Sequence, residues 1–435
     1  MRRALVLLPG VAAALVAAAS ALGQAPPTPL VVQGTTDVRD AGLLDDVIVP
    51  EFQRRFPQYQ LRFIAVGTGQ ALANARAGQG DAVLTHAPTL ESQFVRDGFS
   101  LEPRRRAVFY SDYVILGPRA DAAGVGTSRN DVVSSFERIG AAGDRGQVTF
   151  VSRGDNSGTN LQEEEIWRLS NVPKNTLGEP GPPGTAQTFP WYRKAGLGQA
   201  ATVQLAEQCP FSSGSCYEMT DRGTYNRLRR LGAVSRLQVL AERNRAGTRG
   251  GEFLLINAFS AYAVNPARAP GVNRQGALDF IDFLQSPELQ RRVRDYPART
   301  DPSFCPDARP LILAGRTLAP PARALCHDAQ RPARPGRPPR HLDRGEAVTI
   351  RGVVVPRLPG DRATIRAEVR LQSGRRVLDR TRSRRSGRFR LTARLRRSAT
   401  LSLVVPNYEG PSGFPSGPPT DRLGEQIVLG RVTVR

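Results

Sequence analysis

The sequence predicts an α/β protein built on a largely parallel sheet, followed by a separate all-β domain. From Leu30 to about Val264, short β-branched runs alternate with segments of helical period, the pattern of βα units. Beyond residue 345, apolar residues fall at every second position between Gly, Pro and Ser turns. A Pro- and Arg-rich stretch over 329–345 has no apolar period and reads as an extended linker between the two. With 435 residues, 40% of them apolar, the chain is long enough for two or three packed units, each with its own core.

In chain order, Arg2 and Arg3 precede an apolar, Ala-rich run from Ala4 to Leu22 with small Ala21 and Gly23 at cleavage positions, a cleaved secretory signal over 1–23. The protein is therefore expected to be exported, periplasmic or extracellular and associated with the cell envelope, and without a lipid anchor, since no Cys follows the signal to take one. Leu30–Gln33 and Leu61–Val66 read as buried strands. Between them Leu43, Leu44, Val47, Ile48, Phe52 and Phe56 recur at helical steps. Ala82–Thr85, Val114–Leu116 and Val148–Ser152 read as further strands and Leu161–Leu169 as a helix. Leu278–Leu284 and Leu289–Val293 read as two late helices, the second capped by Ser286 with Pro287 at its first position, closing the α/β region near Cys326. Over 346–435, Val348, Ile350, Val353 and Val355, then Ile365, Ala367, Val369 and Leu371, then Phe389, Leu391 and Leu395, then Leu401, Leu403 and Val405 predict an antiparallel, Ig-like sandwich.

Four Cys in an exported chain imply two disulfides. Spacing favours Cys209–Cys216 and Cys305–Cys326, with the other two connectivities left open. Zinc is the competing use, but neither pair has C-x-x-C spacing and only His327 of the three His adjoins a Cys, so no metal site is expected. The net charge of +22 is almost all Arg, the only Lys being Lys174 and Lys194. Residues 331–435 hold 24 Arg against 8 acidic residues, which places most of the excess in the C-terminal third.

Three loops share one construction, in which a strand ends in Gly and hydroxyl residues and a helix begins at once. They are Gly34-Thr35-Thr36-Asp37, Val66-Gly67-Thr68-Gly69-Gln70 and Ser152-Arg153-Gly154-Asp155-Asn156-Ser157-Gly158-Thr159. Glycines let the backbone approach a ligand, and the first turn of a helix offers unpaired N–H groups, so each loop suits a small anion. Loops at the carboxyl ends of strands converge in open α/β sheets. Thr35, Thr36, Thr68, Ser157 and Thr159 add hydroxyl donors, and Arg153 adds a charged fork suited to two oxygens. Capping of helices by the same Ser, Thr and Asp residues is the plainer alternative.

Six ordered segments are TTDVRDAGLLDDVIVPEF, IAVGTGQALANARAGQGDAVLTHAP, FYSDYVILGPRAD, FVSRGDNSGTN, EMTDRGTY and the NPARAPGVN…ALDFIDFLQSP tail. Through them, over roughly residues 30–296, the chain resembles the tungstate-type substrate-binding proteins of ABC importers. The resemblance implies a two-lobed periplasmic-binding-protein (type II) fold over 30–325, with lobe one at 30–116 plus 255–325 and lobe two at 117–254. It implies a non-enzymatic monomer that holds tungstate or a similar oxyanion without a cofactor and passes it to a membrane permease. Carried over by position, the ligand-binding residues are Thr35, Thr36, Asp37, Thr68, Arg153, Ser157, Gly158 and Thr159.

Two positions depart from the family. Asp37 stands where Ser is usual after the paired Thr, and Asn160 where His follows SGT. A carboxylate in the cup would repel a fully ionised oxyanion and accept a hydrogen bond from a protonated one such as hydrogen phosphate. The alternative is that Asp37 faces away and caps a helix beginning near Ala41. His86, at the end of the Ala82–Thr85 strand, reads as a hydrogen-bonded structural residue. A serine hydrolase using His86, Asp112 and Ser157 is the enzymatic alternative, and Asn156 breaks its nucleophile motif. The basic segment Arg380–Arg390 reads as a loop through which 346–435 would hold an anionic envelope polymer by charge, with no specific nucleic-acid partner.

Overall fold

A computed structural model describes residues 26–172, 190–298, 301–308, 311–314, 338–355, 366–384, 386–410, 420–422 and 424–435. The expected signal segment, Cys326, Ile365 and linker residues 329–337 lie outside these. Among the described residues no helix is long and apolar enough to cross a membrane.

The first body begins with β1 (Thr28–Thr35), α1 (Thr36–Asp40) and α2 (Val49–Arg55). It continues with β2 (Tyr59–Val66), α3 (Thr68–Arg76), β3 (Ala82–Thr85) and α4 (Pro88–Arg96). The apolar period at Leu43–Phe56 is split, because Leu44–Ile48 forms a wider π-helical turn before α2, whose Pro50 sits in its first turn. The stripe nonetheless packs as its spacing requires. Leu43, Leu44, Val47, Ile48 and Phe52 are buried in one core with Leu30, Val32, Phe280 and Phe283.

β4 (Arg105–Pro118) is the longest strand. After it come α5 (Val132–Asp144), β5 (Thr149–Ser152), α6 (Gly158–Leu169), β6 (Tyr192–Lys194) and α7 (Gln199–Gln208). β7 (Cys216–Asp221), α8 (Arg222–Arg230), β8 (Leu237–Glu242) and β9 (Ile256–Ala263) follow. The α/β part closes with α9 (Arg274–Leu284) and α10 (Pro287–Arg294). The expected Ser286 cap is present, accepting from the Leu289 amide at 3.3 Å with Pro287 in the first turn.

Strand order is β2-β1-β3-β9-β4-β7-β5-β6. The outer strands of each half pair parallel, whereas β9 and β4 pair antiparallel with each other and with their neighbours, so the sheet is mixed rather than largely parallel. β2 is an edge strand with Ile64 exposed, not the buried strand its composition suggested. β4 pairs with β9 from Arg106 to Asp112 and with β7 from Tyr113 to Leu116, so a single strand runs through both halves. The second half has its own aromatic core around Phe136, Phe150, Trp167, Trp191 and Tyr217.

Most of the C-terminal strands form a five-stranded and a three-stranded sheet over one apolar core that includes Val348, Ile350, Val369, Leu371, Leu391 and Leu403. Within these two sheets pairing is antiparallel except where His341–Leu342 runs parallel to Thr433–Val434. Strand Thr420–Arg422, paired antiparallel with Tyr408–Gly410, instead joins the start of β4 in parallel. The two sheets of this all-β unit extend beyond the expected limits. Leu342, given to the linker by sequence, is buried in this core, and the apolar run Leu311–Ala314, placed by sequence in lobe one, pairs with Gly352–Val355. The basic segment Arg380–Arg390 is no free loop, since strands Arg376–Arg382 and Arg388–Arg394 take up most of it. Cys209 and Cys216 are bonded, tying the end of α7 to the start of β7. Cys305 is also disulfide-bonded, and its expected partner Cys326 lies outside the described residues.

Candidate functional site

The three loops singled out by composition meet in the crevice between the halves. A Cβ added to Gly67 would lie 3.4 Å from Ser157 Cα, one on Gly69 would lie 2.8 Å from Asn156 Nδ2, and one on Gly158 would lie 2.4 Å from His86 Cε1. Close approach of backbones across the crevice is what these glycines permit. Backbone and carboxylate bridge the halves at a fourth place, where the Ala200 amide at the start of α7 donates to Asp40 at 3.0 Å. A cavity of about 580 Å³ continues along the seam, lined by His86, Pro88, Leu161, Gln162, Phe253 and Leu254.

Three helices of useful length, α3, α6 and α7, start in this crevice. α1 spans only five residues, too short to contribute a dipole of consequence, which corrects the expectation of three equivalent helix starts. Ser157 caps α6 by accepting from the Asn160 amide at 3.2 Å. Thr35 and Thr68 are buried, and their hydroxyl oxygens have no hydrogen-bond partner among the described residues. Orphaned buried hydroxyls are costly, and donors left unpaired in a crevice fit a ligand that brings acceptors.

Arg153 is 2% exposed. Its guanidinium donates to Gln199 Oε1 at 2.5 Å, to Asp155 Oδ2 at 2.5 Å and to Thr36 Oγ1 at 3.4 Å, while its Nε has no hydrogen-bond partner. The Asp155 pair lies within the same loop, so it braces the guanidinium beside the crevice rather than drawing it away. Thr159 donates to the same Gln199 oxygen at 2.9 Å, and Gln199 in turn donates to Thr220. Gln199 was missed by sequence. The signal was present in AGLGQA, a fourth strand–Gly loop–helix junction.

Asp37 does not face away. It is 1% exposed, with Oδ2 3.3 Å from His86 Nε2 and 3.4 Å from Asn257 Nδ2, and with Oδ1 3.9 Å from an Arg153 nitrogen and without a hydrogen bond. Burial pushes its pKa up, but His86 and then Arg153 outweigh that and hold it down to about 2. His86 Nδ1 is hydrogen-bonded to the Tyr113 hydroxyl at 3.0 Å, so this His has a hydrogen bond as expected, while its Nε2 faces Asp37 and the ring also lines the crevice. Tyr113 and Asn257 had no local sequence signal, because each lies within a strand, Tyr113 in β4 and Asn257 near the start of β9. The residues of the hydrolase alternative are partnered separately: Asp112 with Arg222, Ser157 as a cap and His86 with Asp37 and Tyr113.

Behind Arg153 lie three more buried carboxyls. Burial and Coulombic repulsion raise Glu218 and Asp221 well above the usual carboxylate range. Burial raises Glu163 to about 7 against hydrogen bonds from Ser152, Tyr192 and Trp167.

Two α/β halves sharing one long strand, with glycine loops from both meeting at one guanidinium, define a two-lobed ligand-binding protein. A family model described as the PBP superfamily domain matches residues 20–288. A Haloferax volcanii protein assigned as the anion-binding protein of an ABC transporter is 35% identical over 64% of this chain and 72% of its own. The tungstate-binding protein TupA of Peptoclostridium acidaminophilum is 29% identical over 64% of this chain and 86% of its own. Among solved structures, that of the tungstate-binding protein of Desulfovibrio alaskensis is 34% identical, covers 64% of this chain and 98% of its own, and has a TM-score of 0.48. The chain belongs to the PBP superfamily, with its likeness to the tungstate-type substrate-binding proteins of ABC transporters. These relatives are named as binding proteins, not as enzymes.

Proposed function

We propose that this chain is an exported solute-binding protein that captures one small tetrahedral oxyanion between its lobes and delivers it to an ABC permease, making and breaking no bond. The observation that carries this is the pair of buried, unpartnered hydroxyls of Thr35 and Thr68 on loops that meet the loop of Arg153. Thr36, Ser157, Gly158 and Thr159 complete the cup, the first touching Arg153 directly. Closure of the lobes excludes water and strengthens each donor, and the permease reopens them. Lobe one takes about 30–116 and 255–308 and lobe two 117–254, as a monomer. Calorimetric titration with tungstate, molybdate, phosphate and sulfate tests the assignment. Binding of at least one, weakened about 100-fold by Arg153→Ala, is expected, and binding of none removes it.

A second role belongs to the C-terminal unit, read as an Ig-like sandwich. Exposed Arg351 and Arg390 stand directly opposite in register, with exposed Arg388 and Arg394 beside them on the same strand. Like charges opposed across a strand pair repel, and a polyanion on this face relieves the cost. This face would retain the protein on an anionic envelope polymer. Salt-reversible cosedimentation of the full chain, lost in Arg351→Ser/Arg390→Ser, is the expected result; retention unchanged by the substitutions counts against it.

A further inference from the structure

We infer that Asp37 makes the cup selective for a tetrahedral oxyanion that carries a proton, of the phosphate or arsenate kind, over fully deprotonated ones such as tungstate, molybdate and sulfate. This rests on the oxyanion reading above and adds the protonation state of the ligand.

The groups of the cup divide into donors and one acceptor. Thr35 and Thr68 offer hydroxyls, Arg153 offers Nε, and each of these atoms lacks a partner. A fully deprotonated oxyanion satisfies all of them, since it only accepts. Asp37 Oδ1 is the opposite case. It is buried, has no hydrogen-bond donor, and stands 3.9 Å from the guanidinium that faces the ligand. A carboxylate oxygen in that position gains nothing from a ligand without a proton and is repelled by its charge. A ligand with one P–OH or As–OH group donates to it, and Arg153 then serves the ionised oxygens.

Asp37 does not escape by taking up the proton itself, because His86 and Arg153 beside it favour its ionised form. The groups facing it are His86 from the end of β3, Arg153 from the loop after β5, and Asn257 from β9. The carboxyls of Asp40 and Asp221 and the phenol of Tyr113 complete its surroundings. Oδ2 accepts from Asn257 and faces His86 Nε2 at 3.3 Å, and Oδ1 is left as the free acceptor.

Titration of the full chain near neutral pH with phosphate, arsenate, sulfate, molybdate and tungstate decides the matter. Phosphate or arsenate is expected to bind about 100-fold tighter than tungstate or sulfate, because a buried acceptor left unpaired rejects a ligand that lacks the donor. Asp37→Ser is expected to invert the order, gaining tungstate and losing phosphate. Asp37→Asn, which keeps the shape of the side chain and turns its acceptor face to a donor, is expected to do the same and guards against a folding defect in the first variant. Tight tungstate binding by the native chain, with no inversion in either variant, overturns the inference and leaves the oxyanion assignment standing. Binding of no anion by the native chain or either variant overturns both.

Discussion

His86 Nε2 lies 3.3 Å from Asp37 Oδ2 with both side chains closed off from solvent, and the two residues come from different strand ends of the same lobe. The pair is set against Gly158 of the other lobe, so it belongs to the crevice and to its closure at once.

Removing one member of a buried pair strands the other's charge, which is worse than removing both. His86→Leu is expected to cost about 3 kcal/mol in urea unfolding, and His86→Leu/Asp37→Asn less than the sum of the two single changes. Additive losses would show that the two do not interact.

Glu163 carries a pKa raised from 4.5 to about 7 by burial. The folded state then binds more protons than the unfolded one between these values, so its contribution to stability is present below about 4.5 and is lost as pH rises through about 7. Glu163→Gln is expected to be relatively more stable at pH 8 than at pH 4, the difference from native shifting by on the order of 3 kcal/mol. A pH-independent difference in the unfolding free energy would contradict this.

Gly158 begins α6, where Ala is ordinarily tolerated, yet a Cβ there would meet the His86 ring at 2.4 Å. Gly158→Ala is therefore expected to lower stability by about 2 kcal/mol, as overpacking does, and to weaken anion binding by displacing the Asp37 partner. Thermal melting and titration of the same variant check both. A stabilised variant with native affinity would show that the ring is free to move.

The Cys209–Cys216 bond closes a short loop between α7 and β7. Cys209→Ser/Cys216→Ser is expected to cost about 2 kcal/mol, mostly through the unfolded chain. Because Gln199 heads α7, anion affinity should fall less than stability does. Affinity lost in proportion to stability would make the bond part of the cup.

Much of this molecule was legible in the chain. Periodicity located the buried stripe from Leu43 to Phe52, the Ser286–Pro287 helix start and the alternating core of the C-terminal unit, because each is a local pattern that burial merely reads out. Gly-rich strand ends marked the loops that meet in the crevice, since a close backbone approach needs glycine wherever the partner comes from. Composition misled where neighbours decide. β2 looks like a buried strand and lies at an edge, and Leu311–Ala314 joins a sheet on the far side of the linker.

Local pattern by itself determined which segments become strands and helices, and which loops have the glycines and hydroxyls to receive an anion. Only the tertiary structure decided that Asp37 turns inward to His86 rather than outward as a cap, that Tyr113 and Gln199 join the same network, and that Arg153 is braced by Asp155. The physical reason is that charge pairing and burial depend on distances between residues far apart in the chain, and those distances exist only once β4 has carried the backbone through both halves.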